Sequence, residues 1–373
     1  MQTYINLSAL ICGFGFDTSL LKLASENRTN LEKKNLYQTA FLASLVSFIF
    51  IYLVLYLLSS LGLISSDPVI SRIFPIYVLF LLPLSLQSIQ LAYYQAKKEI
   101  KQMAKLQLIV KIISIIFIIV FSYLFKLKGY VITIIFTGYL AVIIFELGIR
   151  NIRFKARYFK PDFKLLKSMW HFAGFALITN IFGLLIATVD VYLINYLIKD
   201  RKEVGYYMFA LTILSIYQLF PLTIQQVAFP FFSEQSSNHK KWYGSYLKYN
   251  KLNHLLVVFV VGGGILFFPA LVKFFFSGKY ERSIFYFIFL SFAWMIKAAN
   301  MMKGTAIMGY GRFDINFRGS VITLVLTFPI TFILIKYYGL IGSMIGMIIG
   351  ALIYYITFYF IFRWFNKTLG NGI

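Results

Sequence analysis

Lys297 holds the most costly position in this sequence. It lies within an apolar stretch at 283–306, about nine residues from the end, which on a helix rising 1.5 Å per residue is roughly 13–14 Å. An ionised side chain at the centre of a hydrocarbon layer costs about 2.5–3.5 kcal/mol on insertion scales, so a lysine there needs water or an anion within reach. Its stem is too short to return the ammonium to a surface from that depth. Ala293, Lys297, Asn300 and Gly304 share one helix face at i, i+4, i+7 and i+11. That face is small and polar, as the wall of a binding cavity is. The other use of such a lysine is to neutralise a carboxylate on a neighbouring helix.

Other apolar stretches carry polar residues of the same kind. Lys111 and Lys303 stand within a turn or two of stretch ends, where snorkelling explains them as well as anion binding does. Asp190 shares a face with Asn180, Gly183 and Ala187 and is placed to hold a coupling proton or sodium ion, or to neutralise a buried lysine. Asp17 is a second ion-coupling candidate, with pairing to Lys22 or Lys97 as its alternative. Glu146 precedes Arg150 by four residues, the spacing of an intrahelical ion pair. Arg312 and Arg318 flank the entrance to a later stretch and suit either a phosphate or an orientation signal.

Pro83, Pro221, Pro269 and Pro329 interrupt stretches, and each frees a backbone carbonyl. Gln218 and Gln225 share a face around Pro221, and Gln87 and Gln90 follow Pro83. Such amides donate to and accept from sugar hydroxyls, or they bond between helices, a use worth only about 0.6 kcal/mol on average. A single cysteine, Cys12, excludes an intrachain disulfide, and three histidines (His171, His239 and His254) form no ligand cluster at metal-binding spacing. No catalytic set, metal site or cofactor is expected.

The elements that position these residues follow from composition. Of 373 residues, 60% are hydrophobic and 13% charged, against roughly 45–50% and about 25% in a soluble domain. Apolar stretches of about 20 residues predict about eleven spans, near 1–21, 37–61, 73–96, 106–125, 129–149, 170–198, 204–232, 252–276, 283–306, 319–335 and 340–362. The start lacks the basic region and cleavage site of a signal peptide, so the first stretch is expected to be a retained span. The net charge is +23. Alternating the connections between two faces puts 23 basic residues on one and 10 on the other. Basic residues favour the cytoplasmic side, which places Met1 outside and Ile373 inside a cytoplasmic membrane.

Internal matches suggest a duplication. Ser25-Glu26 closes the first span and Ser233-Glu234 the seventh, 208 residues later; Lys126-x-x-Gly129 and Lys336-x-x-Gly339 precede the fifth and eleventh spans, 210 apart. The sixth span then has no counterpart in the first half. The expected architecture is an all-α polytopic membrane protein, with lobes at 1–155 (five spans, the first helix missing) and 156–373 (six spans). Twelve helices are expected at full length, in two bundles related by a pseudo-twofold along the membrane normal.

Five segments carry a family likeness. Asp190-Val-Tyr-Leu-Ile, Val204-Gly-Tyr-Tyr-Met-Phe-Ala210 and Phe229-Pro-Phe-Phe-Ser-Glu234 resemble the central region of polysaccharide-type flippases of the multidrug/oligosaccharidyl-lipid/polysaccharide exporter superfamily. Gly13-Phe-Gly-Phe-Asp-Thr-Ser-Leu-Leu-Lys22 is similar to the close of that family's second helix, and Tyr337-Tyr-Gly-Leu-Ile-Gly-Ser343 to its turn into the last. The resemblance implies two lobes around a central cavity and alternating access, with no enzymatic step or cofactor. The implied substrate is an isoprenoid-pyrophosphate-linked oligosaccharide, and the implied partners are membrane lipids and other polysaccharide-assembly proteins, with no nucleic acid. Its candidate binding residues are Lys297, Asn300, Lys303, Lys111, Gln87, Gln90, Gln218 and Gln225, with Asp190 and Asp17 for ion coupling. The alternatives are a cation-coupled drug antiporter of the same superfamily and a membrane-embedded glycosyltransferase or polymerase. The antiporter calls for acidic residues to dominate the cavity, and the enzyme for an acidic base or a substantial outer loop, whereas the outer loops here are about ten residues or fewer, with Asp67 their main exposed acid. Reporter fusions test the orientation: one placed after Lys240 should read cytoplasmic, and an external signal there reverses the assignment.

Overall fold

The computed structural model describes residues 2–61, 68–149, 163–276 and 278–370. Every regular element among them is an α-helix. In order these are α1 (Gln2–Gly13), α2 (Phe16–Ser25), α3 (Asn30–Ser60), α4 (Pro68–Val78), α5 (Leu81–Ala96), α6 (Ile100–Gly148) and α7 (Phe163–Leu197). They continue as α8 (Arg201–Tyr217), α9 (Leu219–Glu234), α10 (His239–Phe276), α11 (Glu281–Ala299), α12 (Met301–Tyr310) and α13 (Phe313–Gly370). Hydrocarbon offers the backbone no hydrogen-bond partner, and a helix satisfies its own amides internally. Eight helical stretches among the described residues are long and apolar enough to cross a membrane, and large apolar side chains such as Phe259 and Phe274 point outward. This is a multi-pass membrane protein.

The eight long stretches compare with eleven expected spans for a physical reason. Both α6, at 49 residues, and α13, at 58, contain one non-helical residue: Lys126 (φ 52°, ψ −134°) and Gly339 (φ 58°, ψ −134°). The chain doubles back at each. In α6 the rings of Phe117 and Phe136 lie 5.9 Å apart, where a straight helix would separate them by roughly 28 Å, and Gln102 Nε2 donates to Gly148 O at 3.0 Å. In α13, Gly346 faces Thr331, Gly350 faces Thr327 and Gly319 faces Phe358. The shorter α1 and α2 are separated at Phe14 and Gly15, both at positive φ.

Both reversals are built alike. Three residues past the turn stands a glycine, Gly129 or Gly342, where a Cβ would lie 2.0 Å from Phe121 O or 1.9 Å from Leu334 O. The structural equivalence therefore runs from Lys126 to Gly339 and not, as the sequence match suggested, from Lys126 to Lys336. The same 213-residue offset joins two helix ends: Lys98 N donates to Gln95 O and Glu99 N to Tyr94 O, as Gly311 N does to Met308 O and Arg312 N to Ile307 O. Earlier in the repeat the offset is 209, with Thr29 Oγ1 capping Glu32 N and Asn238 Oδ1 capping Lys241 N. Helix α7 is the element without a counterpart among the described residues.

Proline placement differs from expectation. Pro83 and Pro221 each stand at the third position of a new helix, and the breaks fall at Phe80 and Gln218, three residues earlier. A proline clashes with the preceding turn, so the interruption lies before it. Pro269 and Pro329 remain inside α10 and α13.

Two compact units divide the chain, Met1–Ile178 and Thr179–Ile373; the expected boundary at 155/156 lies outside the described residues. The core of the first includes Cys12, Phe74, Tyr77 and Val131. The second holds one cluster around Tyr207, Phe287 and Leu290 and another around Trp242, Met302 and Phe362.

The glycine contact gives a test. Gly342→Ala forces a methyl into the Leu334 carbonyl and should destabilise by about 1–3 kcal/mol, the usual cost of overpacking, whereas Gly262→Ala, with nothing within 4 Å, should not. Thermal unfolding in detergent reads the difference, and equal melting temperatures would exclude the close approach.

Candidate functional site

The second unit gathers its deepest charges around Tyr207. Asp190 on α7 is 5% exposed, and its Oδ2 accepts from Tyr207 Oη of α8 at 3.3 Å. Tyr207 Oη lies 2.9 Å from Ser343 Oγ of α13, with Met347 Sδ at 3.3 Å. A phenol has one proton. With that proton given to Asp190, Ser343 donates to the phenol oxygen and the chain of bonds is complete. Lys297 is half-buried on α11, and Asp190 is the carboxylate whose charge acts on it. Among the described residues no carboxylate oxygen lies within 4.0 Å of Lys297 Nζ.

A second lysine lies one and a half turns on. Lys303 of α12 is 9% exposed and donates to Asn300 Oδ1, with its ammonium 4.8 Å from the Tyr355 ring centroid and 5.7 Å from that of Tyr359. Aromatic faces stabilise a desolvated cation by up to about 2 kcal/mol, so Lys303 is held inward and does not snorkel. Asn300 sits at the break between α11 and α12.

The supposed cavity face around Lys297 is corrected in part. Ala293 and Asn300 are buried, and Gly304 packs against Asn316 and Phe358. Small residues there admit neighbouring helices closely, leaving Lys297 the accessible member. Gln218 is exposed at the α8–α9 break and Gln225 half-buried on α9.

In the first unit, Gln90 is fully buried and its amide donates to Val142 O and Glu146 Oε2, both at 3.0 Å. It is spent on bonding between α5 and α6 and lines no open surface. Gln87 is half-buried and Lys111 exposed. Asp17 accepts from the Thr18 amide and hydroxyl. Its expected partners are engaged elsewhere, Lys22 with Glu26 and Lys97 with Glu99. Arg150, the expected partner of Glu146, lies outside the described residues; Glu146 instead accepts from Tyr37 Oη at 2.6 Å. Arg312 grips Asp314 with two bonds, at 2.9 and 2.8 Å, and Arg318 is exposed. Among the described residues no group of three or more His, Cys, Asp or Glu is placed to hold a metal.

Sequence reasoning missed Tyr207 and Tyr37 as carboxylate donors. The signal was present, since an acid buried inside a span requires a donor.

Comparison with known proteins decides the family. The model of the family described as "Polysaccharide biosynthesis protein" matches residues 1–285. The chain belongs to this family. A curated relative in Haloferax volcanii, the probable low-salt glycan biosynthesis flippase Agl15, is 23% identical over 186 residues, or 49% of this chain and 39% of the relative. The chain thus spans about two-fifths of that relative's length in the match. Among solved structures, an outward-facing multidrug resistance MATE family transporter of the MOP superfamily aligns with TM-score 0.82 at 15% identity, over 99% of this chain and 86% of that one. A MOP superfamily transporter from Pyrococcus furiosus, described as having a binding pocket of reverse polarity, gives 0.75 at 15% identity over 97% and 86%. These likenesses establish that this polysaccharide biosynthesis protein has the MOP transporter fold.

The Tyr207 hydroxyl is the shared member of the buried cluster. Tyr207→Phe leaves Asp190 and Ser343 without it and should cost about 1–3 kcal/mol of stability, as buried groups left unpaired do, while Gln218→Ala at an exposed position should be neutral. Thermal unfolding separates the two, and an unchanged melting temperature for Tyr207→Phe would show the cluster to be unimportant for folding.

Proposed function

We propose that this chain moves an isoprenoid-pyrophosphate-linked oligosaccharide from the cytoplasmic to the outer leaflet of the cytoplasmic membrane, supplying cell-surface polysaccharide assembly. The observation that carries this reading is a pair of inward lysines, Lys297 and Lys303, with no carboxylate oxygen within 4.0 Å among the described residues. An ammonium group with no carboxylate against it in a half-dry setting attracts an anion, and bonds from a charged donor to a phosphate oxygen are roughly twice as strong as neutral ones. Membership of the polysaccharide biosynthesis family and a relative named as a glycan flippase support the identity of that anion.

Lys297 binds the pyrophosphate in this reading. Asp190 is its resting counter-charge, near enough to keep the empty site neutral and far enough to yield to the substrate. Lys303 adds positive potential from its aromatic seat. Gln218 and Gln225 of the second unit, which are not fully buried, offer amides to sugar hydroxyls. The isoprenoid tail stays in the bilayer, where burying it costs nothing. Transporters built from repeats expose one site alternately to the two faces, and the duplicated helix ends and reversals support the same mode here. No cofactor takes part.

Flipping of a lipid-linked oligosaccharide in proteoliposomes is the test. Lys297→Ala should slow it by about tenfold or more, the equivalent of one lost charge-assisted bond of about 1.5–3 kcal/mol, at unchanged membrane abundance, and Lys297→Arg should retain more activity. Undiminished flipping by Lys297→Ala overturns the pyrophosphate role. Failure of the unaltered chain to flip any such lipid overturns the function.

A further inference from the structure

Glu146 was set aside in the sequence as half of an ion pair, yet its surroundings pose a different problem. Its Oε2 accepts two bonds, from Tyr37 Oη at 2.6 Å and Gln90 Nε2 at 3.0 Å. The second amide hydrogen of Gln90 goes to Val142 O, also at 3.0 Å. Both amide hydrogens are therefore used, and turning the amide round would set its oxygen against two acceptors. What remains is a mismatch. Glu146 Oε1 and Gln90 Oε1 are both buried, and neither has a hydrogen-bond partner. Gln90 is 0% exposed. Each unsatisfied buried acceptor costs about 1–3 kcal/mol.

One proton resolves both. Placed on Glu146 Oε1, it converts that oxygen from acceptor to donor and gives Gln90 Oε1 the hydrogen it lacks. The result is an acid–amide pair joined by two antiparallel bonds, O–H to amide oxygen and amide N–H to acid carbonyl. We infer that Glu146 and Gln90 form a proton-binding site in the first unit, between α5 and α6. A hard metal cation is a poorer occupant, because it takes about six oxygen ligands and two orphaned oxygens are present, with the Tyr37 hydroxyl committed as a donor.

Among the described residues, the charged and titratable neighbours leave that proton uncontested. From α3 comes Tyr37, with Lys33 and Lys34 a turn earlier. From α5 come Tyr93 and Tyr94, and Tyr94 Oη donates to Phe145 O at 3.1 Å. Lys97 beyond them is paired with Glu99 at 2.6 Å. Arg150 of the following segment lies outside the described residues, and among those described no ammonium or guanidinium approaches Glu146 within 4.0 Å. Loss of the proton sets a carboxylate oxygen against an amide oxygen and loosens α5 from α6. Proton occupancy and the packing of these helices are then linked.

This inference goes beyond the flippase reading and does not rest on it, so its test contains no glycolipid. Infrared difference spectra of the full chain in lipid, recorded over a pH series, should show a hydrogen-bonded carboxylic-acid band that vanishes as the pH is raised. The band should be lost at every pH in Glu146→Gln and shifted to higher frequency in Gln90→Leu, where the acid has no amide to donate to. Glu146→Gln keeps one donor and one acceptor in place, so its melting temperature should fall less with rising pH than that of the unaltered chain. A band that survives Glu146→Gln overturns the assignment, as does a band displaced by sodium at constant pH, which would make the site a cation site. Should Glu146→Gln fail to fold, the frequency shift in Gln90→Leu decides alone.

Discussion

Without bulk water, every polar group in this chain needs a partner supplied by the chain itself, and the architecture follows from that demand. Helices meet it for the backbone. For side chains it is met by tyrosine, which carries a donor on an apolar body. Tyr207 serves Asp190, Tyr37 serves Glu146, and Tyr286 donates to Glu203 at 2.8 Å. Lys303 uses tyrosine differently, through the ring faces of Tyr355 and Tyr359. Lys297, with no carboxylate oxygen within 4.0 Å among the described residues, departs from the pattern.

The same demand explains how the chain turns. Between consecutive spans α6 and α13 reverse through a single non-helical residue, which leaves little backbone without a helical partner. Such a tight reversal brings the two arms together at once, and only glycine leaves room three residues on. Gly342, Gly346 and Gly350 continue the close contact along the returning arm against Leu334, Thr331 and Thr327. Packing of this kind, and not an aversion to water, is what holds helices together within a membrane.

Much of this was legible in the residues. The apolar stretches gave the helices, and the short matches at 208 and 210 pointed to similar helix ends and reversals in the two halves, because such features need particular residues. The register was misread at the reversal, since Lys126 adopts the backbone that Gly339 adopts and the lysines at 126 and 336 are not equivalent. Side-chain partnerships were less legible. Helical spacing placed Gln87 and Gln90 together near one face, but whether an amide meets sugar or a neighbouring helix depends on the element packed against it. Glu146 had an arginine four residues away in sequence, and Tyr37 and Gln90, more than fifty residues away, took it in space.

The matching offsets place the Glu146 and Lys303 settings at corresponding positions of the two units. By the offsets of the caps and helix ends, Tyr37 corresponds to Tyr246, Gln87 to Asn300, Gln90 to Lys303 and Glu146 to Tyr359. One set of positions thus holds an acid with an amide in the first unit and a lysine with an aromatic ring in the second. Each combination is consistent only as a whole. A lysine at 303 can be buried because position 359 offers a ring face, whereas a glutamine at 90 needs hydrogen-bonding atoms opposite and finds them in a carboxyl group. Changing one member alone would strand the other: Gln90 would lose the carboxyl group it donates to, and Lys303 a ring it sits against.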